Sequence, residues 1–257
     1  MHLTTGQYVA WLVGFTLECM VCGLAVRRKL QRDFPVFTTY AFVVLARSIL
    51  IFGLYRTIGY TSKTALYSYW LTQALELFLR AAAIGELAWV VSRPYPGFRK
   101  VLKWVLPGIA LALLVRAAFA TVPHARLWPG YLIFEREMEF TAAVVLCVLL
   151  GLSRRYDVEV QARVRYLAAG LLFYSFFQVA NNAFSQSQSQ SGFRLWAVLR
   201  TSSFDFAALI WVIGLARTQQ IPPRTTPPED VERQRRVMTE GSEAMNKIME
   251  RLRRFRR

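Results

Sequence analysis

The sequence predicts an all-α membrane protein: a seven-transmembrane-helix bundle with its N-terminus outside, its C-terminus cytoplasmic and a C-terminal amphipathic helix. Three observations lead to this prediction. Apolar residues make up 54% of the 257 residues and form blocks of about twenty, the length that crosses a bilayer core. Short basic stretches separate these blocks. Lysine and arginine total 32 against 16 acids and gather at the block ends, where membrane topology places them.

Seven segments qualify as membrane spans by their length and apolar character. The first span has no basic segment before it and no small-residue cleavage site after it. We therefore expect it to be a retained helix and not a cleaved signal peptide. In chain order, the predicted spans are 6–26, 35–55, 69–92, 104–122, 131–152, 165–184 and 195–216.

The distribution of lysine and arginine among the loops predicts the orientation of the chain. The loops after spans 1, 3 and 5 hold twelve basic residues, whereas the N-terminus and the other loops hold four. We therefore expect the N-terminus outside and the C-terminus in the cytoplasm, in a plasma membrane of the bacterial inner-membrane type. Residues 1–217 then form the transmembrane domain, 218–228 a proline-rich linker and 229–257 a basic cytoplasmic helix.

Residues 229–257 carry apolar side chains at heptad positions and end in a dense run of arginines. One interpretation is a coiled coil, through which the chain self-associates or binds a cytoplasmic protein partner. The other is an amphipathic helix on the anionic headgroups of the lipid bilayer, which Gly241 and the basic end favour. The segment is too short for a signalling enzyme domain, so any signal must pass to another protein.

Charged and amide side chains inside the spans are the most informative feature of the sequence. A charged residue at the centre of a transmembrane helix costs about 2.5–3.5 kcal/mol, so we expect these side chains to face the bundle interior and to pair. Counted at about 1.5 Å per residue from the span ends, they fall in the outer half of the membrane. The candidate ligand-binding residues of this layer are Arg47, Glu76, Arg80, Arg116, Glu135, Glu139, Asp205, Gln178 and Asn181.

Two interpretations of this charged layer remain open. It can be a closed ion-pair network that locks the bundle, because arginine binds carboxylates bidentately and buried pairs can specify register. It can instead line a cavity that opens to the outside and binds a small polar ligand. The number of ionisable groups exceeds what packing needs, which favours ligand binding. The two interpretations can also coexist in a network that re-pairs when a ligand enters.

The inner half of the bundle carries two isolated acids, Glu18 and Glu86. No basic partner is predicted at their depth. A neutral, hydrogen-bonded glutamic acid is the simpler interpretation of each, and a proton relay is the alternative.

Several function classes do not fit the sequence. His2 and His124 lie outside the predicted spans, which excludes haem ligation by paired intramembrane histidines and histidine-dependent membrane hydrolysis. The basic residues at helix ends account for the high charge, so we expect no nucleic-acid partner. Cys19, Cys22 and Cys147 do not complete a zinc site. We therefore expect no metal, no cofactor and no catalytic residues.

The helix number and orientation resemble those of bacterial seven-helix sensor modules and rhodopsin-like proteins, although no sequence motif does. The leading hypothesis is a sensor or receptor-like module that binds a small polar ligand and signals through a cytoplasmic partner. One alternative is a small-molecule transporter, in which Glu18 and Glu86 continue a polar path. Another is a structural or assembly subunit held in a complex by residues 229–257. Enzymatic activity is the least expected function. The one class of enzyme that the sequence does not exclude is an intramembrane enzyme that uses only carboxylates.

Overall fold

A computed structural model describes residues 5–59, 62–92, 96–121, 127–155, 161–185 and 190–217, together with residue 240. The predicted linker at 218–228 and all of the predicted helix at 229–257 except Glu240 lie outside this part. Among the described residues nearly all are helical and none lies in a strand, so the predicted all-α class is confirmed. The helices are α1 (Thr5–Arg27), α2 (Leu30–Asp33), α3 (Pro35–Thr57), α4 (Lys63–Val91), α5 (Pro96–Thr121), α6 (Leu127–Arg155), α7 (Ala162–Ser185) and α8 (Gln190–Arg217).

Each predicted span coincides with one long helix, but most of these helices extend beyond the predicted ends. Helix α4 begins at Lys63, six residues before the predicted start, because the Ser62 side chain accepts a hydrogen bond from the Ala65 amide at 3.1 Å. Helix α5 begins early at Pro96, a residue that suits the first turn of a helix. The short helix α2 was not predicted and lies in the first basic loop.

Two stretches of the described chain, Tyr8–Arg27 and Pro35–Thr57, are long and apolar enough to cross a membrane by length and composition. They correspond to α1 and α3. The membrane prediction therefore has partial support from helix composition. The seven-span topology and its orientation stay predictions.

The core of the bundle is built around the side chain of Trp211 on α8. Its ring meets Phe37 and Tyr40 of α3 edge-on, with centroids 5.2 and 6.2 Å away. Its indole nitrogen donates a hydrogen bond to the carbonyl of Leu167 on α7 at 3.2 Å. Helix α1 packs against α3 and α8, while α4 packs against α3 and α6. The helices at the two ends of the described chain are therefore neighbours.

Glycines allow α7 and α8 to approach each other closely. Gly170 of α7 faces the indole of Trp211, and Gly214 of α8 faces the ring of Tyr166. A Cβ atom on either glycine would overlap the opposing aromatic side chain. Small residues at such crossings are typical of helices that pack within a bilayer.

Candidate functional site

Polar side chains from three helices meet inside the bundle. We call them the buried polar network. On α4, three of them are spaced so that they share one face, and this face meets α3 on one side and α6 on the other. The side chains from α4 and α6 are 1–3% exposed, whereas the side chain from α3 is 19% exposed. The members are Arg47 on α3, Gln73, Glu76 and Arg80 on α4, and Glu135 and Glu139 on α6.

Arg47 joins α3 to α4 through all three of its guanidinium nitrogens. The two terminal nitrogens donate to Glu76 Oε2 and to Gln73 Oε1. The Nε atom donates to the hydroxyl of Thr72 at 3.3 Å. The guanidinium also lies 5.2 Å from the ring centroid of Tyr69, within cation–π range. All three guanidinium nitrogens of Arg47 therefore donate hydrogen bonds to side chains of α4.

Arg80 joins α4 to α6 and to α7. One terminal nitrogen contacts Glu76 Oε1 at 3.4 Å, and the other donates to Glu139 Oε1. The guanidinium lies 4.5 Å from the ring centroid of Tyr174 on α7. Glu76 consequently uses one oxygen for each arginine and bridges Arg47 to Arg80.

Two amide side chains extend the network. Gln73 donates to Glu135 Oε1 at 3.3 Å, which adds a second link between α4 and α6. Gln178 donates to the hydroxyl of Tyr174 at 2.7 Å. Gln178 and Asn181, both predicted as site residues, are buried on α7 at 2% and 7% exposure. The structure thus brings seven of the nine predicted residues into the interior.

Several buried polar atoms near the network have no hydrogen-bond partner in the described part of the chain. They are Glu139 Oε2, Tyr40 Oη, Ser175 Oγ and Gln178 Oε1. A buried polar atom without a partner costs about 1–3 kcal/mol. A cavity of about 10 Å³ lies beside Arg80 and Glu139, which is room for one water molecule.

The structure places two predicted site residues away from the network. The Arg116 side chain is 67% exposed and pairs with Glu137 of α6 at 3.0 Å, so it faces outward. Counting residues gave its depth in α5 but not its direction. Asp205 lies between α8 and α1, where its carboxylate contacts Gly14. Among the described residues it forms no ion pair.

The two acids predicted for the inner half, Glu18 and Glu86, have different surroundings. Glu86 accepts hydrogen bonds from the backbone amides of Val36 and Phe37 at 3.0 and 2.9 Å. These amides belong to the first turn of α3 and have no partner within their own helix. Glu86 therefore caps α3. Its hydrogen-bonded structural role agrees with the simpler interpretation, and its neutral form stays a prediction. Glu18 accepts a hydrogen bond from the Ser48 hydroxyl at 2.8 Å.

Sequence reasoning missed the hydroxyl and aromatic members of this site. Tyr174 and Gln178 are four residues apart on α7, and this spacing could have revealed a polar stripe. Tyr40 and Ser175 resemble ordinary core residues in the sequence, and only the packing shows their unpartnered oxygens. Among the described residues, no group of His, Cys, Asp and Glu side chains is arranged to hold a metal ion.

Comparison with known proteins gives no match. No family model, no curated protein and no solved structure is similar to this chain. Function must therefore be argued from the burial pattern and from the buried polar network.

Proposed function

We propose that this chain is an integral membrane protein whose seven long helices form a transmembrane bundle. The burial pattern supports this proposal, because many large apolar side chains point outward while the charged side chains of the buried polar network point inward. Leu71, Trp104 and Phe119 are 73–76% exposed, whereas Arg80 and Glu139 are 1% exposed. Water would strongly disfavour so much apolar surface, and a lipid environment accepts it.

We propose further that the bundle is a sensor or receptor-like module with a small polar ligand. The observation that carries this proposal is the buried polar network with its unpartnered oxygens. Buried ion pairs add little stability compared with well-packed apolar residues, so stability alone does not explain five charged side chains at this depth. A ligand that bonds to Glu139 Oε2 and Tyr40 Oη would offset the cost of leaving these atoms without partners.

In this proposal, the ligand acts by changing the partners of the two arginines. A ligand that replaces the contact between Arg47 and Glu76 releases α4 from α3, and a ligand that replaces the contact between Arg80 and Glu139 releases α4 from α6. The expected movement is a shift of α4 relative to one of these two neighbours. With the predicted orientation, α8 ends at the cytoplasmic side and passes the change to a cytoplasmic partner through residues 218–257.

The first test is native mass spectrometry of the full chain purified in mild detergent. We expect a small bound molecule on the wild type and on Arg116→Ala, whose side chain faces away from the network. The same molecule should be missing from the double variant Arg80→Ala, Glu139→Ala. Circular dichroism should show that the double variant keeps its helical content. An adduct retained by the double variant, or absent from the wild type, would contradict ligand binding at the network.

The second candidate function is a structural or assembly subunit. Four charged side chains of the network are almost completely buried, and this favours the structural role. A closed network of this kind can hold the helices together without binding any ligand. The four are Glu76, Arg80, Glu135 and Glu139. Under this alternative the wild type carries no adduct but has a defined oligomer or a co-purifying protein. Deletion of residues 229–257 should then dissolve that assembly while the bundle stays folded.

The structure gives less support to the transporter alternative. The polar path of a transporter was expected to include Glu86, but this side chain caps α3.

A further inference from the structure

The interface between α1 and α8 contains two carboxyl groups that the buried polar network does not use. Glu18 lies on α1 and Asp205 lies on α8. The Asp205 carboxyl faces Gly14 of α1, which is one helical turn from Glu18. Among the described residues, neither carboxyl forms an ion pair with a lysine or an arginine.

Glu18 is the more deeply placed of the two acids. Glu18 is 8% exposed. One carboxyl oxygen accepts the hydrogen bond from Ser48 at 2.8 Å. The other oxygen is buried and has no partner in the described part of the chain. An isolated carboxylate in such a place is strongly disfavoured unless it gains a proton or a cation.

Asp205 reaches the same face of α1 because Gly14 leaves room for it. Gly14 is four residues before Glu18, so the two positions lie one helical turn apart on one face. A Cβ atom at position 14 would be 2.8 Å from Oδ1 of Asp205. The absence of a side chain at Gly14 therefore allows the Asp205 carboxyl to approach the turn that carries Glu18.

The charged groups around this pair are already engaged. Arg47 of α3 donates to α4 through all three nitrogens, and Glu76 of α4 is bound by two arginines. The nearest titratable groups on α1 itself are the thiols of Cys19 and Cys22. No described basic side chain is therefore free to neutralise the two acids.

We propose that Glu18 and Asp205 form a proton-binding pair, in which two carboxyl groups hold one exchangeable proton between α1 and α8. Like charges in a low-dielectric site do not both ionise, and the shared proton removes one of the two charges. The pair lies outside the proposed ligand site and depends only on the proposed membrane location. Because α8 leads to the C-terminal segment, release of the proton changes the packing of the helix that connects to it.

The test is an infrared pH titration of the full chain in lipid nanodiscs, in which the carbonyl stretch of protonated carboxylic acids is recorded. The wild type should show such a band and lose it as the pH is raised. Glu18→Gln and Asp205→Asn should each remove the band or move its titration to lower pH. Glu86→Gln is the matched control and should leave the titration of the band unchanged, because Glu86 lies on α4, where it accepts hydrogen bonds from two backbone amides of α3 and does not belong to the pair.

Two further measurements keep the result decisive. Gly14→Ala should shift the titration, because the added methyl group forces Asp205 away from α1. Replacing choline by Na⁺ at constant pH should leave the band unchanged, and its loss would identify a metal ion and not a proton as the occupant. A wild type without the band, or a band that neither acid variant alters, would also overturn the proposal. These outcomes leave ligand binding at the buried polar network untouched, since that test uses other residues.

Discussion

At the scale of single residues, Glu76 holds the most connected position in the bundle. Its two oxygens each bind a different arginine, and it is 2% exposed. Removing one partner from a buried ion pair costs far more than the pair contributes, because the remaining charge loses its counter-charge. Glu76 is therefore the residue whose loss leaves two buried cations underpaired.

Glu76→Gln should lower the free energy of unfolding by about 3–5 kcal/mol, since Arg47 and Arg80 both lose a carboxylate. Arg116→Ala should lower it by less, because Arg116 pairs with Glu137 alone and lies outside the buried polar network. The measurement is unfolding of the purified protein by denaturant, followed by circular dichroism. Equal losses in the two variants would contradict the network described above.

Burial also explains why the sequence revealed some site residues and not their partners. A charged residue in an apolar block is visible in the sequence, so Arg47, Glu76 and Arg80 could be found. The direction in which the Arg116 side chain points could not be predicted. The rise per residue gives the depth of a side chain along its helix but not the neighbour that it faces. The Glu86 cap also escaped prediction, since it joins two helices through amides about fifty positions away.

At the scale of helices, Glu86 determines how α3 begins. The first amides of a helix have no partner in their own helix, and a carboxylate at this end also interacts favourably with the helix dipole. In this structure the carboxylate comes from α4 and not from the chain before α3. The start of α3 therefore depends on its neighbour.

Glu86→Ala should speed hydrogen exchange at the amides of Val36 and Phe37, because both lose their acceptor. The C-terminal end of α3, near Leu54, should exchange at the wild-type rate and serves as an internal control. Hydrogen–deuterium exchange read by mass spectrometry separates the two ends of the helix. Faster exchange along the whole of α3 would show that Glu86 stabilises more than the first turn.

The crossing of α7 and α8 depends on two glycines that face aromatic rings. Gly170→Ala should destabilise the fold by about 1–3 kcal/mol, because the methyl group overlaps the indole of Trp211. Gly151→Ala is the control, since a Cβ atom there meets nothing within 4 Å. Thermal unfolding of both variants in the same detergent compares them directly. A neutral Gly170→Ala would mean that α7 and α8 can separate without loss of stability.

At the scale of the whole molecule, the positions of the helices were predictable and their ends were not. Apolar blocks of membrane-spanning length locate the centre of each helix, and all seven blocks lie in helices. The ends depend on local caps such as Ser62, which extend a helix past its apolar block. The contacts between helices depend on packing that no single block encodes.

Labelling of single cysteines in intact cells tests the orientation of the molecule. In a chain without its three natural cysteines, Lys63→Cys should react with a membrane-impermeant maleimide in intact cells, because it begins α4 at the outer side. Arg32→Cys should react only after the membrane is opened. Both positions are exposed in the structure, so access through the membrane is the only difference. The reverse pattern would place the N-terminus in the cytoplasm.

The ion pair between Arg47 and Glu76 has a consequence for biosynthesis in a membrane. The two residues lie on consecutive helices, and a short loop joins these helices. An isolated charge costs about 2.5–3.5 kcal/mol when a helix enters the bilayer alone, so partitioning of α3 and α4 as one hairpin lowers the barrier for both. Glu139 emerges from the ribosome later, when α6 is made. For the proposed transmembrane bundle, we therefore expect α3 and α4 to insert as a single unit and α6 to complete the neutralisation of Arg80 afterwards.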